Sequence, residues 1–447
     1  MPFRFVHTAD LHLDSPLKSL ALRDSELADA VGTASREALA GIVRTCLDER
    51  VDALMIAGDL FDGERNTAQT ANFLQGELRK LSEAGIETFI VRGNHDAGTA
   101  FGRGVDLPDG VHVFDGRGTP AVSARNANVS VHGVSFRAAH APKSLLPTYA
   151  RPEGDGFHVG LMHTSLAGAE GHDSYAPCRL ADLVEHGFQY WGLGHVHGRS
   201  VHHEADGCAV VMSGMPQGRD MGEAGAKSAT LVTLGDDGSV AIEEVPTALV
   251  EFARVEVALD APMGWDAALA AVESAIMEAS SRIAAPRMAV RLRLTGESRH
   301  HYRLLNDEDL FADELTDMLR RDDPNGRSGM FVEKVEMRVA APAIAPERKA
   351  ANDSPTVAGA LAELRGAMGE VAGEGEFRDL ARERMAQLRK LIPARTGNLR
   401  DQTFGADEVE GEERLDAIIE RGLALVAARL EGAERGRAET DAEGTRR

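Results

Sequence analysis

FRFVHTADLHLD, residues 3–14, opens as a short apolar run and ends abruptly in Asp and His. The same change recurs in ALMIAGDLFD (53–62), TFIVRGNHD (88–96), HVGLMHT (158–164) and YWGLGHVH (190–197). Such runs read as buried strands. Between the first two, Ser35–Glu49 carries apolar residues at 38, 39, 42, 43, 46 and 47, the spacing of an amphipathic helix. A second helix fits Ala68–Ala84, with Gly85 as its C-terminal cap. Strands alternating with helices predict an α/β fold, and in open α/β sheets sites form outside the carboxyl ends of the strands. All five polar clusters fall at such ends. Turn-punctuated, β-rich stretches at 120–136 and 209–245 add further strands.

Beyond this region a second unit begins near Phe252. FARVEVAL, a helix at Trp265–Ser281, MAVRLRL, a helix at Asp307–Arg320 and GMFVEKVEMRV give a β-α-β-α-β order. A Pro/Ala-rich linker occupies 340–355, and 356–431 has helical periodicity before a frayed tail. The expected divisions are therefore 1–248, 250–340 and 356–447, without a fixed-period repeat.

Composition sets limits on function. The 447 residues hold 49 Lys+Arg against 71 Asp+Glu, a net charge of −22, which excludes tight nucleic-acid binding by overall charge alone. Apolar runs stop far short of a membrane span, and the N-terminus lacks a signal peptide's apolar stretch. Three scattered cysteines make no disulfide framework, so no membrane association and a cytoplasmic location are expected. GEAGAKSA (222–229) is not a P-loop, because Ala226 stands where Gly must precede the Lys. Cys178 has no second Cys at ligand spacing and reads as a buried structural thiol.

The clusters supply Asp, Asn and His, ligands for hard or borderline divalent cations. Asp10 and His12 are two apart, as are His195 and His197, so on an extended backbone each pair faces one side. Asp59 can bridge two ions, Asn94 offers a carbonyl oxygen and His163 an imidazole. That is a donor set for two ions about 3.5–4 Å apart.

The order D-x-H, G-D-x-x-D, G-N-H-D, H, G-H-x-H resembles the calcineurin-like metallophosphoesterases. ADLHLDSP, AGDLFD, RGNHD and GHVH resemble the nuclease subunit of the SbcCD type. HDSYAPCRLADLVEHGFQYWGLGHVH (172–197) and SGMPQGRDMGEAGAKSA (213–229) are similar to the YhaO-like branch of these DNA repair exonucleases. The resemblance covers about residues 3–245, weakens over the second unit and is absent after 355. It implies a layered α/β-β/α sandwich with the site at one edge, a smaller α/β cap domain and a helical C-terminal region. It further implies that Asp10, His12 and His197 hold one metal, that Asn94, His163 and His195 hold the other, and that Asp59 bridges them. Manganese is the ion the family favours. His95 would be the catalytic histidine and Asp62 its orienting carboxylate, with Asp96 as rival orienter or turn closer.

The implied activity is hydrolysis of DNA phosphodiesters, as exonuclease or endonuclease of a repair complex, by a hydroxide that two metal ions activate. The implied partners are DNA, a coiled-coil ATPase subunit of the SbcC or YhaN type contacted through the C-terminal helices, and a second copy of the chain. Arg65, Arg103, Lys143, Arg199, Arg219 and Lys227 are candidate DNA contacts on loops near the motifs. Two alternatives stand beside this activity. One is a phosphatase or small-molecule phosphodiesterase on the same site, although protein phosphatases have G-D-x-V-D-R-G where this chain has GDLFDGE. The other is a non-catalytic subunit of an ATPase complex, against which the complete ligand set argues.

Overall fold

The apolar runs do become strands, and their alternation assigns each face. In a computed structural model that describes residues 2–15, 25–62, 67–97, 107–166, 175–205, 207–321, 329–340, 366–373, 375–391, 411–419, 422–423 and 426, the first strands are β1 (Phe3–Thr8), β2 (Ala53–Ala57), β3 (Glu87–Val91) and β4 (Val111–Val113). They pair in parallel. β11 (Ser228–Leu234) adds antiparallel to β1, and β12 (Val240–Pro246) antiparallel to β11. The first sheet thus runs β12-β11-β1-β2-β3-β4. The second runs β5-β6-β7-β8-β10-β9, from β5 (Ala121–Val122), β6 (Val129–Gly133), β7 (Phe157–His163), β8 (Tyr190–Gly194), β9 (Ser200–Ala205) and β10 (Cys208–Met212).

Phe3, Phe5, Met55, Phe89 and Val91 of the first sheet share one core with Val131, Val159, Leu161, Tyr190 and Val211 of the second. The opposite face of the first sheet, with Val6, Leu54, Ile56 and Ile90, is covered by α1 (Ser25–Asp48) and α2 (Ala68–Glu83) through Leu39, Ile42, Leu74 and Leu78. The opposite face of the second, with Met162, Trp191, Leu193 and Val210, packs on Leu183 of α3 (Leu180–His186) and on Phe188. The result is an α/β-β/α sandwich. Cys178 lies buried in that outer layer, 3.9 Å from the Met162 sulfur.

A third sheet, β13 (Val250–Leu259), β14 (Arg287–Gly296) and β15 (Gly329–Met337), has β14 at its centre. Its helices are α4 (Trp265–Ser280), α5 (His301–Asn306) and α6 (Glu308–Arg321). The described residues divide into two compact units: Met1–Val255 with Ile276–Arg291 and Leu319–Lys334, and Glu256–Ala275 with Leu292–Met318 and Val335–Arg447. In the second unit Trp265 donates to Glu314 (2.7 Å), meets Phe311 edge-on and lies under the Arg303 guanidinium (3.8 Å). Further along, α7 (366–373) and α8 (Gly375–Leu391) are helical, and α8 exposes Phe377, Leu380 and Leu388. Arg378 and Arg382 pair with Glu412 on the helix 411–419. The linker, Leu361, Leu364 and the tail lie outside the described residues. Among the described residues no helix is long and apolar enough to cross a membrane.

Three local expectations need correction. α1 starts ten residues before Ser35, because Leu27, Ala30, Val31 and Ala34 gain a tertiary partner in Met221, Val250 and Phe252. His202 and His203 lie not in a loop but on β9, a polar strand whose pairing with β10 is bulged at Val210/Val211. The second unit has an additional short helix, α5.

Candidate metal centre

The parallel ladder does not stop at the ends of β1 and β2. Asp10 N–H donates to Gly58 O (2.9 Å), His12 N–H to Asp59 O (3.0 Å) and Leu13 N–H to Leu60 O (2.9 Å), so the two polar loops form one piece. Asp10 (φ 52°), His12 (41°), Asp59 (52°) and His195 (105°) all adopt left-handed backbone that L-residues rarely take. Where such outliers cluster, a function is the hypothesis to test.

Close approach needs glycine at two positions. A Cβ on Gly58, itself at φ 98°, would stand 2.9 Å from His163 Cγ, and one on Gly93 would stand 2.8 Å from Asp59 Cγ. Asp96 is fully buried and accepts from Leu60, Phe61 and Gly93 N–H (3.1 Å each), which ties the GDLFD loop to the GNHD turn. This leaves Asp62 beside His95, with Asp62 Oδ1 3.1 Å from His95 Nδ1.

The expected ligands converge. Donor atoms of Asp10, His12 and His197 lie within 4.8 Å of one another, as do those of Asp10, Asp59 and His163. His163 Nε2 is 2.9 Å from Asn94 Oδ1 and 3.3 Å from Asp59 Oδ2. The His195 ring lies 5.1 Å from that of His163, and its N–H donates to both Asp10 oxygens (3.1 and 3.0 Å). His12 Nε2 and His197 Nε2 are 3.2 Å apart. Asp10, His12, Asp59 and His163 are at most 2% exposed, whereas the His95 side chain is 39% exposed. The candidate ligands are therefore dry, and the histidine assigned to substrate is open.

The donor chemistry fits divalent cations. His163 Nδ1 donates to Ala57 O (3.0 Å) and His197 Nδ1 to Glu223 Oε1 (2.8 Å), tautomers that leave each Nε2 lone pair free for a metal. Two adjacent carboxylates, Asp10 and Asp59, are buried where only positive charge offsets their repulsion. Burial pushes Asp10 up to about 6, against the pull of His163. Burial also lowers His163, but Asp59 and Asp10 outweigh it and hold the imidazole at about 9. Burial and the Arg219 charge bring His12 down to about 3. Asp62, through its hydrogen bond, raises His95 above the ordinary imidazole range. Burial opposes ionisation of Glu223, yet the bonds from His197 and Arg219 keep it well below the usual carboxylate range.

Glu223 and Ser15 were not foreseen. Glu223 sits on the short turn Met221–Glu223, in the Gly-rich stretch expected only to border the site. The available signal was indirect: a metal-binding His needs an acceptor on its other nitrogen. Among the candidate DNA contacts, Arg65 and Arg103 lie outside the described residues and Lys143 is exposed. Arg199 faces Glu244 (3.8 Å), Lys227 donates to Ala224 O (3.3 Å) and Arg219 is bound to Glu223.

Known proteins share these features. Residues 3–199 match the calcineurin-like phosphoesterase family, and residues 252–340 match the middle domain of metallophosphoesterase YhaO. The uncharacterized metallophosphoesterase YhaO of Bacillus subtilis is 34% identical over 261 residues, covering 57% of this chain and 63% of that protein. The DNA double-strand break repair protein Mre11 of Methanopyrus kandleri is 26% identical over 241 residues, covering 48% and 49%. The SbcD subunit of the nuclease SbcCD of Bacillus subtilis is 27% identical over 269 residues, covering 51% and 66%. The chain thus spans between 49% and 66% of the length of these relatives.

Proposed function

The chain carries a calcineurin-like phosphoesterase domain at residues 3–199, and from that premise we propose that it is a metal-dependent DNA phosphodiesterase of a repair complex. The observation that carries this reading is the convergence of seven separated donors, Asp10, His12, Asp59, Asn94, His163, His195 and His197, beside the open His95–Asp62 pair. Asp10, His12 and His197 hold one ion, Asn94, His163 and His195 the other, and Asp59 bridges. Manganese suits this oxygen and nitrogen set. Bound there, two such ions supply Lewis acidity and lower the pKa of water.

The protein's own groups do the rest. Asp62 accepts from His95 Nδ1, which fixes the ring, favours its protonated form and leaves Nε2 as the nitrogen available to a phosphate oxygen. A positioned imidazolium of this kind stabilises developing charge or protonates the leaving oxygen. DNA as substrate and a coiled-coil ATPase as partner draw support from the relatives named for double-strand break repair and for the SbcCD nuclease. The remaining parts of the proposal are a cap role for 250–340, a partner-binding role for 356–447, a homodimer and a cytoplasmic location.

Purified chain with Mn²⁺ is assayed on linear duplex DNA, bis-p-nitrophenyl phosphate and p-nitrophenyl phosphate. Cleavage of the diesters, abolished by EDTA, is expected. His95→Ala should retain two ions and lose about 10²–10⁴-fold in rate. Undiminished cutting by His95→Ala overturns the assigned role. Hydrolysis of the monoester alone favours the phosphatase alternative instead.

A further inference from the structure

The loop between β10 and β11 is fastened from within. The buried Gln217 amide donates to Gly218 O (2.8 Å) and Val250 O (2.7 Å), while its oxygen accepts from Leu249 N–H (2.8 Å) and Val250 N–H (3.2 Å). Asp220 caps the next turn by accepting from Gly222 N–H at 2.7 Å. Between these anchors stands Arg219.

On one edge, Arg219 Nε lies 3.2 and 3.1 Å from the two Glu223 oxygens, and Nη2 also donates to Glu223. Glu223 Oε1 in turn accepts from His197 Nδ1 (2.8 Å). On the other edge, Arg219 Nη1 donates to Ser15 Oγ (3.2 Å) and lies 3.9 Å from Asp62 Oδ2. The Ser15 hydroxyl donates to Asp62 Oδ2 (2.7 Å), and Asp62 Oδ1 is 3.1 Å from His95 Nδ1. An unbroken polar chain therefore runs His197–Glu223–Arg219–Ser15–Asp62–His95. Its members come from the ends of β1, β2, β3 and β8 and from this loop.

We infer that Arg219 is a positioning residue that couples the two halves of the centre, setting His197 through Glu223 and His95 through Ser15 and Asp62. The inference rests on the two-metal reading above. Each guanidinium nitrogen already donates inward, so a DNA phosphate is not its main partner. Arginine suits the task because its planar fork presents donors along two edges at fixed spacing, whereas a lysine ammonium is a single point charge.

The test compares wild type with Arg219→Gln, Arg219→Lys, Glu223→Gln and Asp62→Asn in the full chain. Calorimetric Mn²⁺ titration is read independently of activity, and kcat and KM are measured on bis-p-nitrophenyl phosphate at saturating Mn²⁺. Arg219→Gln should weaken one Mn²⁺ equilibrium and lower kcat, each by about 10–100-fold, with KM nearly unchanged. Combining it with Glu223→Gln should weaken Mn²⁺ binding no further than the worse single variant. With Asp62→Asn the same non-additivity should appear in kcat. Arg219→Lys should recover Mn²⁺ affinity more than kcat, and it carries the test should Arg219→Gln not fold.

A folded Arg219→Gln with wild-type affinity and kcat overturns the inference. So does full additivity in both cycles, or complete recovery of both quantities by lysine. A wild-type chain that neither binds Mn²⁺ nor cleaves diesters instead refutes the underlying reading.

Discussion

Replacing Gly93 with alanine tests how far the centre depends on one close approach. The substitution introduces no backbone strain, because Gly93 does not have a left-handed φ. The added Cβ would lie 2.8 Å from both Cγ and the backbone N of Asp59, and closer still to Oδ1, where ordinary contact begins at 3.4 Å. Asp59 Cγ must therefore retreat by at least 3.4 − 2.8 = 0.6 Å. It cannot do so freely, since Oδ1 accepts from His95 N–H at 3.0 Å and Asp59 N–H sits in the same crowded spot. Overpacking of this kind costs about 1–3 kcal/mol. At roughly 2–4 °C per kcal/mol for a domain of this size, the melting temperature should fall by about 2–12 °C.

Activity should suffer more than stability. Misplacing a reacting group by about 1 Å can cost on the order of 10²-fold, and Asp59 is the carboxylate proposed to bridge both ions. Gly41→Ala is the matched control. It lies on α1 with nothing within 4 Å of the new Cβ, and should be neutral or stabilising by about 0.5–1 kcal/mol. Metal content by mass spectrometry, melting temperature and diester hydrolysis are compared across the three proteins. A Gly93→Ala chain that holds two ions and hydrolyses at the wild-type rate refutes the argument from proximity.

Acid sensitivity offers a test away from the ligands. His7 is buried on β1 with Nδ1 2.9 Å from the Tyr190 hydroxyl, and burial, helped by Arg199, lowers it to about 3. Its folded pKa is thus below the unfolded value of about 6.5, so its contribution is complete above pH 6.5 and is lost as pH falls toward 3. Between pH 7 and 5 this amounts to about 2 kcal/mol, and His7→Gln should flatten the urea-unfolding profile by that share; an unchanged acid limb counts against it. Metal removal should also register without any substrate. At about 100 times their dissociation constant, ions bound to the folded chain add about 2.7 kcal/mol, so EDTA should lower the melting temperature by several degrees and Mn²⁺ should restore it. Equal melting with and without Mn²⁺ contradicts a preformed site.

Much of this architecture was legible because it is local. Period-two alternation separates Phe3 and Phe5, which enter the core between the sheets, from Val6, which faces the helices. Each candidate ligand ends such a strand, so strand and site were read together. What escaped is settled by tertiary contact. The first turns of α1 contain Gly32 and Thr33, poor helix formers, and are helical because Leu27 and Val31 pack on Phe252. β9 is polar and gives no hydrophobic signal; its partner β10 defines it. Glu223 follows His197 by 26 positions, and no periodicity links a turn carboxylate to an imidazole that distant.

The backbone of the ligand loops shows which demand prevailed. Asp10, His12, Asp59 and His195 hold left-handed angles that disfavour L-residues by roughly 1–2 kcal/mol each, about 4–8 kcal/mol together. That is comparable to the whole net stability of an ordinary domain, about 5–15 kcal/mol. Glycine at these positions would remove most of the strain, as it does at neighbouring Gly58, where φ is 98° and a side chain would strike His163. Side chains are retained only where they aim at the centre. The cost is met by the ladder bonds from Asp10, His12 and Leu13 into the β2 loop, by the three N–H groups on Asp96 and by the core beneath. Strain kept at these ligands, and supported from every side, marks a site whose geometry takes precedence over local stability.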